Sequence, residues 1–198
     1  MVPGQRRATI LRAAGDLFSQ HPYADVSVAG IAAAASVSAP LIVFHFGTKK
    51  ALYLAVLSAA ADAIRSGLAA LPGPPSIERL QAGVRFYAEY ASTHRTGFLS
   101  LLRGGQEFPE ATALVESLRT HLATQLEADL STGRPALAAR PLVSVAVRAH
   151  LGYVDAAIVH WLSLPGPVRA QVTPGMLASL AAATFTAALS AISLPAEK

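Results

Sequence analysis

Two turn signals lie within the 25 residues from 28 to 52, which read VAGIAAAASVSAPLIVFHFGTKKAL. Ser27 is a good N-cap for a short helix that runs to about Ala34. Ser38 can cap the next helix, and the proline two residues later falls in the first turn of that helix, where a missing backbone N–H costs nothing. Gly47 can supply the left-handed residue that ends this helix, and the threonine after it can cap another. The stretch therefore predicts two short helices, followed at once by a longer one.

Helical periodicity dominates the remaining sequence, and no alternation typical of β-strands runs for a useful length. Residues 6–20 carry one apolar face, and Pro22 ends that helix because the residue before a proline resists the α conformation. The proline-rich run 71–75 is a clear break, and before it we predict a helix over about residues 49–70. Beyond the break, the pattern predicts helices near residues 76–94, 96–104, 109–131, 141–163 and 174–192. The sequence thus predicts an all-α fold.

Composition argues against several classes of protein. With 53% hydrophobic and 14% charged residues, the chain has ample core material and a surplus of apolar surface, which often indicates a partner interface. It has no cysteine, hence no disulfide and no thiolate metal site, which fits a reducing cytoplasm. The basic N-terminus lacks a continuous apolar core, so we expect no secretory signal. The longest uncharged run, Ala170 to Ala196, is expected to be a buried packing helix and not a membrane span, because its polar side chains share one narrow sector.

Positive charge is concentrated at one end of the chain. Residues 1–55 hold five basic and two acidic side chains, a net charge of +3, whereas residues 56–198 hold eleven basic and ten acidic ones. Such an excess at one end suggests a surface that faces phosphates. A solvated basic face would give the same composition, so charge by itself does not decide between the two.

Three short helices with a sharp turn between the second and third form a helix-turn-helix arrangement. One helix must enter the major groove of DNA, so it must be exposed on one side and held on the other. The holding residues would be Ile31, Ala32, Val37, Ile42 and Phe46. The groove-facing residues would be Ala39, Pro40, Leu41, Val43 and Phe44, and His45, Thr48 and Lys49 would lie where phosphates pass. The alternative is a helical hairpin in an ordinary core.

The spacing of residues 6–57 resembles that of the TetR (tetracycline-repressor-like) family of bacterial transcriptional regulators. The matching positions are Arg7, Ile10, Ala13, Ala14, Leu17 and Phe18, then Val28-x-x-Ile31-Ala32-x-x-Ala35-x-Val37-Ser38, and His45-Phe46-x-x-Lys49-x-x-Leu52. The resemblance implies a DNA-binding domain over residues 1–55. It further implies a divergent all-helical domain over residues 56–198 that binds a small ligand and forms a homodimer.

The expected recognition helix departs from the family pattern. Leu41 and Val43 stand where family members often carry a threonine and a tyrosine, and Ser36 stands where a glycine is common in the turn. Apolar side chains touch thymine methyl groups but make no bidentate hydrogen bonds to bases. We expect specificity from methyl contacts, DNA shape and nearby polar groups, and weak discrimination is the alternative. The candidate DNA contacts are Arg7, Ser27, Val28, Ser38, Ala39, Pro40, Leu41, Val43, His45, Thr48 and Lys49.

The last two long helices are apolar over wide arcs, and the resemblance implies that they pair with those of a second copy in a four-helix interface. The candidate interface residues, of which some must instead be core, are Val147, Leu151, Val154, Ile158, Trp161, Leu177, Leu180, Phe185 and Leu189. The resemblance also implies a pocket for an effector. Its candidate lining, which an amphipathic core would equally explain, is Tyr87, Tyr90, Phe98, Leu102, His121 and Tyr153.

Catalysis is not expected. The histidines are single, without metal-ligand spacing, and no nucleophile motif or phosphate loop is present, so we expect no metal and no cofactor. We expect a cytoplasmic, dimeric repressor, with no membrane partner, that a small, largely apolar ligand releases from a near-palindromic operator on double-stranded DNA. The alternative is a helical ligand- or partner-binding protein whose sequence-specific DNA binding is weak or lost.

Overall fold

The computed structural model describes residues 3–95, 98–99 and 108–193, and every regular element within them is helical. The helices are α1 (Pro3–Gln20), α2 (Val28–Ala34), α3 (Ala39–Phe46), α4 (Lys49–Ala69), α5 (Ile77–Thr93), α6 (Pro109–Gly133), α7 (Pro135–Ala138), α8 (Pro141–Ser163), α9 (Gly166–Arg169) and α10 (Pro174–Ser193). A 3-10 turn lies at Tyr23–Asp25. The predicted all-α fold is confirmed. Of the helix predicted near residues 96–104, only residues 98 and 99 lie within the described part of the chain.

The sequence patterns predict breaks, not helices, where α7 and α9 lie. Both helices are four residues long and carry a proline in the first turn, Pro135 and Pro167 respectively. A proline there needs no backbone N–H and already has a helical φ. The same residue that interrupts a long helical pattern therefore starts a short helix.

The chain forms two compact units. The first comprises Met1–Ala63 with Thr93–Glu116, and the second comprises Ile64–Ser92 with Ser117–Lys198. Helices α4 and α6 therefore each contribute residues to both units. The functional boundary that we expect between residues 55 and 56 stays a prediction.

The first unit has its core between the apolar faces of α1, α2, α3 and α4. Ile10, Ile31, Ile42 and Leu52, one from each of these helices, expose 2% or less of their surface. Val115 from α6 belongs to the same core. Burying one such side chain contributes about 1.5–3 kcal/mol, so these contacts fix α3 against α1 and α2.

Local hydrogen bonds fix the two predicted turns. The Ser27 hydroxyl accepts a 2.9 Å bond from the Gly30 amide, which confirms the cap of α2. Gly47 ends α3 at a φ of 76°, and Thr48 Oγ1 accepts a 3.0 Å bond from the amide three residues later. Ser38 occupies the N-cap position of α3, but its side chain makes no capping hydrogen bond, so that detail of the prediction is wrong. The second residue of α3 is a proline, and one of the two amides that a cap normally binds is therefore missing.

Ser36, in the turn between α2 and α3, has a positive φ of 53°, which side chains disfavour and glycine adopts freely. Its side chain is exposed, so its removal costs no packing. We expect Ser36→Gly to raise the free energy of unfolding by about 1 kcal/mol, measured by urea denaturation. Ser38→Gly is the matched control: its φ of −83° suits any residue, so stability should fall by roughly a few tenths of a kcal/mol. Equal effects of the two changes would contradict a strained turn.

The second unit has its core between α8 and α10. Val143 and Val147 on α8, and Phe185 and Leu189 on α10, each expose 5% or less of their surface. Leu80 of α5 packs against the same group. Helix α10 lies inside the uncharged run 170–196 and packs on α8, as expected.

Three helices, α4, α8 and α10, are long and apolar enough to cross a membrane by length and composition alone. The pair α2 and α3 passes the same test as one broken segment, bent by 106°. Each of these helices also supplies side chains to one of the two cores described above.

Candidate nucleic-acid interface and ligand cavity

Helix α3 presents an apolar surface to solvent. Ile42 exposes 2% of its surface and anchors α3 to the first core, whereas Val43 exposes 53% and Phe44 exposes 81%. The angle of 106° between α2 and α3 lies within the range of a helix-turn-helix. Val43 and Phe44, which are predicted to face the groove, therefore lie on the free side of α3, whereas Leu41 is half-buried.

None of the candidate DNA contacts is buried. The exposed ones are Arg7, Ser27, Ser38, Pro40, Val43 and Thr48. The half-buried ones are Val28, Ala39, Leu41, His45 and Lys49.

Two basic side chains near α3 rest on aromatic rings. Lys49 Nζ lies 4.2 Å from the centre of the Tyr23 ring and donates a 3.3 Å hydrogen bond to the carbonyl oxygen of Ala24. The guanidinium of Arg7 lies 5.0 Å from the centre of the Phe46 ring. Cation–π contacts of this kind position a charge without neutralising it. Both cations therefore remain able to meet a phosphate.

Lys50, the other member of the lysine pair, is engaged within the first unit. Its Nζ lies 2.8 Å from Glu110 Oε1 and 5.0 Å from the centre of the Phe108 ring. The hydrogen bond from Lys50 lowers the pKa of the Glu110 carboxyl below its usual value. The two neighbouring lysines thus differ: Lys50 has a carboxylate partner, whereas Lys49 is held by a ring and a carbonyl oxygen.

The second unit contains a partly open cavity of about 670 Å³, a volume typical of small-molecule sites. Side chains of α4, α5, α6, α8 and α10 line it. Its apolar lining includes Leu68, Leu80, Leu126, Leu151, Val154 and Leu189. Its polar lining includes Arg65, Arg79, Tyr87, His121, Asp129 and His150.

Two of the six predicted effector residues, Tyr87 and His121, line this cavity. Tyr90 and Tyr153 are half-buried but do not border it. Phe98 is buried in the first unit. These three residues do not line this cavity, so their role in effector binding stays a prediction, and Leu102 lies outside the described residues.

The hydroxyl of Tyr87 is already engaged. It donates a 2.9 Å hydrogen bond to Asp155 Oδ1, while Arg119 donates bonds of 2.9 and 2.8 Å to Oδ2 of the same carboxylate. Burial, reinforced by the negative charge of Asp155, raises the pKa of Tyr87 well above its usual value. Tyr87 therefore stays neutral and shapes the wall of the cavity.

Two buried polar atoms of the lining, Arg79 Nε and His150 Nδ1, have no hydrogen-bond partner among the described residues. The Nη1 atom of Arg79 lies 2.9 Å from Asp129 Oδ2. His150 exposes 6% of its surface, and its ring stacks on Phe185 with 4.5 Å between centres. Burial lowers the pKa of His150 to about 4, so its imidazole is neutral at neutral pH.

Sequence models of two known protein families match the chain. The model of bacterial regulatory proteins of the tetR family matches residues 10–56. The model of the tetracyclin repressor-like C-terminal domain matches residues 77–190, more than half of the chain. The chain belongs to the TetR family. It is a DNA-binding transcriptional regulator with an N-terminal helix-turn-helix and a helical C-terminal domain, which confirms the family expected from the sequence.

Known regulatory proteins resemble the chain over most of its length. The HTH-type transcriptional activator FasR of Mycolicibacterium smegmatis is 28% identical over 166 residues, which cover 83% of this chain and 75% of that protein. A tetR-family transcriptional regulator from Streptomyces coelicolor is 28% identical, with a TM-score of 0.82 over 97% of this chain and 83% of its own. The fatty acid degradation regulator FadR from Bacillus halodurans, at 17% identity, shares the fold with a TM-score of 0.70 over 93% and 95% of the two chains.

TetR-family regulators are soluble DNA-binding proteins and are generally not enzymes. No group of three or more side chains that could hold a metal ion occurs among residues 3–95, 98–99 and 108–193. FasR, the relative that is 28% identical to this chain, is named as a transcriptional activator.

The residues predicted for a TetR-type dimer interface need correction. Six of the nine, each exposing 6% or less of its surface, are buried within their own chain and out of reach of a partner: Val147, Val154, Ile158, Trp161, Phe185 and Leu189. Leu151 and Leu177 are half-buried, and Leu180 exposes 54%. The exposed apolar side chains of α8 and α10 are instead Leu142, Val145, Met176 and Leu180. Because both helices are apolar on nearly every side, sequence alone does not show which arc faces the core.

We expect Lys49→Ala to weaken binding to any DNA duplex and to lower the slope of log K against log salt by about one unit, as for one lost phosphate contact. The measurement is fluorescence anisotropy over a salt series. Lys50→Ala is the matched control, since Lys50 is already paired with Glu110 and should change the slope less. A slope that Lys49→Ala leaves unchanged would remove this residue from phosphate contact.

Proposed function

We propose that this TetR-family protein is a cytoplasmic, homodimeric repressor that holds a near-palindromic operator and releases it when a small, largely apolar effector enters the cavity. The observation that carries the proposal is the cavity of about 670 Å³ in the second unit. Its size suits a small molecule, and its leucine and valine lining suits an apolar one. A helical core that binds no ligand is normally packed without a space of this size.

Two helices offer a physical link between the effector and the DNA. Helix α4 carries Leu52 in the core behind α3 and Leu68 in the cavity wall. Helix α6 likewise carries Val115 in that core and Leu126 in the wall. An effector that prefers one position of these helices shifts the protein toward that state, and its differential affinity sets the size of the shift.

The exposed apolar side chains of α8 and α10 support a dimer. Leu142 and Val145 lie three residues apart on α8, and Met176 and Leu180 lie four apart on α10, so each pair shares one helix face. A second copy would cover both pairs in a two-fold interface. Two copies would also present two α3 helices to adjacent turns of the major groove, which a near-palindrome matches.

Activation of transcription, in place of repression, is the second candidate function. FasR of Mycolicibacterium smegmatis, 28% identical to this chain, is a transcriptional activator. An activator and a repressor bind DNA alike and differ in what the bound protein does to transcription. A transcription assay on the bound promoter separates them, since added protein raises the yield of transcript in one case and lowers it in the other.

Fluorescence anisotropy with the duplex upstream of this protein's own gene tests the proposal, with a scrambled duplex beside it and two salt concentrations for each. We expect the native duplex to bind more tightly by about a thousandfold or more. Sedimentation equilibrium on the same samples should give two chains per complex. Equal, weak binding of both duplexes with the same steep salt dependence would favour the alternative, a helical ligand-binding protein without sequence-specific DNA binding.

A further inference from the structure

We propose that the effector is anchored in the cavity at two hydrogen-bonding points, with an acceptor oxygen on Arg79 Nε and a neutral hydrogen-bonding group on His150 Nδ1. The effector class is thus an apolar compound that carries oxygen, neutral or anionic, and not a cationic amphiphile. This assignment rests on the proposed function, in which the cavity receives an effector.

Arg79 supplies the first anchor. Its side chain exposes 25% of its surface, and Nη1 holds Asp129 at 2.9 Å. That ion pair uses one edge of the guanidinium and leaves Nε buried, with no hydrogen-bond partner among the described residues. The Nε–H group only donates, so a ligand that satisfies it must present an acceptor. Since the charge of Arg79 is already offset by Asp129, a neutral carbonyl or ether oxygen suffices.

His150 supplies the second anchor. Its ring is fixed by stacking on Phe185, and 94% of its surface is buried, so it cannot turn toward bulk water to satisfy Nδ1. Burial lowers its pKa to about 4, and the neutral ring has one donor and one acceptor nitrogen. A hydroxyl group can meet either tautomer at Nδ1. An ammonium group would instead gain no opposite charge there.

The charge of the lining disfavours a cation. Three arginines, Arg65, Arg79 and Arg134, border the cavity, against the single carboxylate of Asp129. That carboxylate already binds Arg79. A cationic ligand would therefore find no free acidic partner in the lining, which opposes binding in a site of reduced dielectric.

A matched set of probes tests the class of ligand on the full-length protein. Diphenylmethane offers two rings and no polar group, 4-hydroxybenzophenone adds a carbonyl and a hydroxyl, and benzhydrylamine adds an ammonium group. Affinity is measured by isothermal titration calorimetry. We expect 4-hydroxybenzophenone to bind about tenfold or more tightly than diphenylmethane, as for two net hydrogen bonds, and benzhydrylamine to bind most weakly.

Two substitutions test the anchors separately. Arg79→Lys keeps a cation opposite Asp129 but removes Nε, and His150→Phe keeps a ring against Phe185 but removes Nδ1. Each substitution is expected to weaken the binding of 4-hydroxybenzophenone by about fivefold. The affinity for diphenylmethane should stay within about twofold of that of the unaltered protein. The matched controls are Arg85→Lys, at an exposed residue of α5, and His21→Phe, at an exposed residue just after α1. Neither control should change the affinity for either probe. Nitrogen-15 spectra of the unaltered protein give a check that needs no variant, because the oxygenated probe should shift the Arg79 Nε and His150 Nδ1 signals.

The possible results distinguish a failure of the two anchors from a failure of the proposed effector cavity. If the oxygenated probe binds no better than diphenylmethane, or if only one of the two variants weakens it, two-point anchoring is wrong while the effector cavity stands. Ordered water at both atoms would produce the first of these results. If no probe binds the folded protein at all, the effector cavity of the proposed function fails, and the anchors fail with it.

Discussion

Replacing Phe44 with alanine is expected to weaken operator binding by about tenfold to a hundredfold and to leave the melting temperature unchanged. Phe44 exposes 81% of its surface on the free side of α3, so its removal from the unbound protein disturbs no core. On DNA, its ring would be buried against base edges, where apolar side chains meet thymine methyl groups. Burying a phenylalanine side chain contributes about 1.5–3 kcal/mol, which corresponds to the expected loss of affinity.

The control for Phe44→Ala is Val168→Ala, which removes another exposed apolar side chain, 46% exposed, from α9 in the second unit. This variant should bind the operator as the unaltered protein does. Both variants are measured by anisotropy on the same duplex, with thermal melts alongside. Binding of Phe44→Ala within about twofold of the unaltered protein, at unchanged stability, would show that α3 does not read the groove through its apolar face.

The helix-turn-helix was predictable because its signals are local. Ser27 caps α2 through a bond to an amide three residues away, and Gly47 ends α3 at a positive φ. Such features depend on a few neighbouring residues and little on the rest of the fold. The Ser38 cap failed for an equally local reason, namely the missing amide of the proline two residues later.

The second unit was predictable in its helices but not in which faces they bury. The large apolar side chains of α8 include both Val145, which exposes 62%, and Val147, which exposes none of its surface. Periodicity separates two faces only when one of them is polar, and α8 and α10 have little polar surface. Burial in this unit is decided by tertiary neighbours, and a sequence pattern does not show them.

Most of the cavity lining was missed for the same reason. Tyr90 and Tyr153 suggested a pocket by residue type alone, and neither borders it. His150 carried a better signal, because it lies three and four residues from Val147 and Val154, which both face the core. A histidine in phase with a buried apolar row is either bonded within the core or available to a ligand, and Nδ1 of His150 has no bond among the described residues.

Lowering the pH from 7.5 to 4.5 is expected to reduce the free energy of unfolding, with about 2 kcal/mol of the loss due to His150 alone. Burial holds the pKa of His150 at about 4 in the folded protein, below the ordinary value of 6.5 that applies once the chain unfolds. Between these two values, the unfolded chain binds the proton and the folded chain does not, so acid favours unfolding. Well above pH 6.5 His150 is neutral in both the folded and the unfolded chain, and it then contributes no dependence of stability on pH.

Urea denaturation of the unaltered protein and of His150→Phe, at pH values from 7.5 to 4.5, isolates this contribution. The phenylalanine variant cannot take up the proton, so the stability curves should run parallel well above pH 6.5 and converge or cross as the pH falls to 4.5, by about 2 kcal/mol. His21→Phe, at an exposed histidine of the first unit, should keep the pH dependence of the unaltered protein. Parallel curves over the whole range would mean that His150 takes up its proton without unfolding. Its ring would then be in contact with water, and a neutral imidazole would no longer be the group that meets the effector.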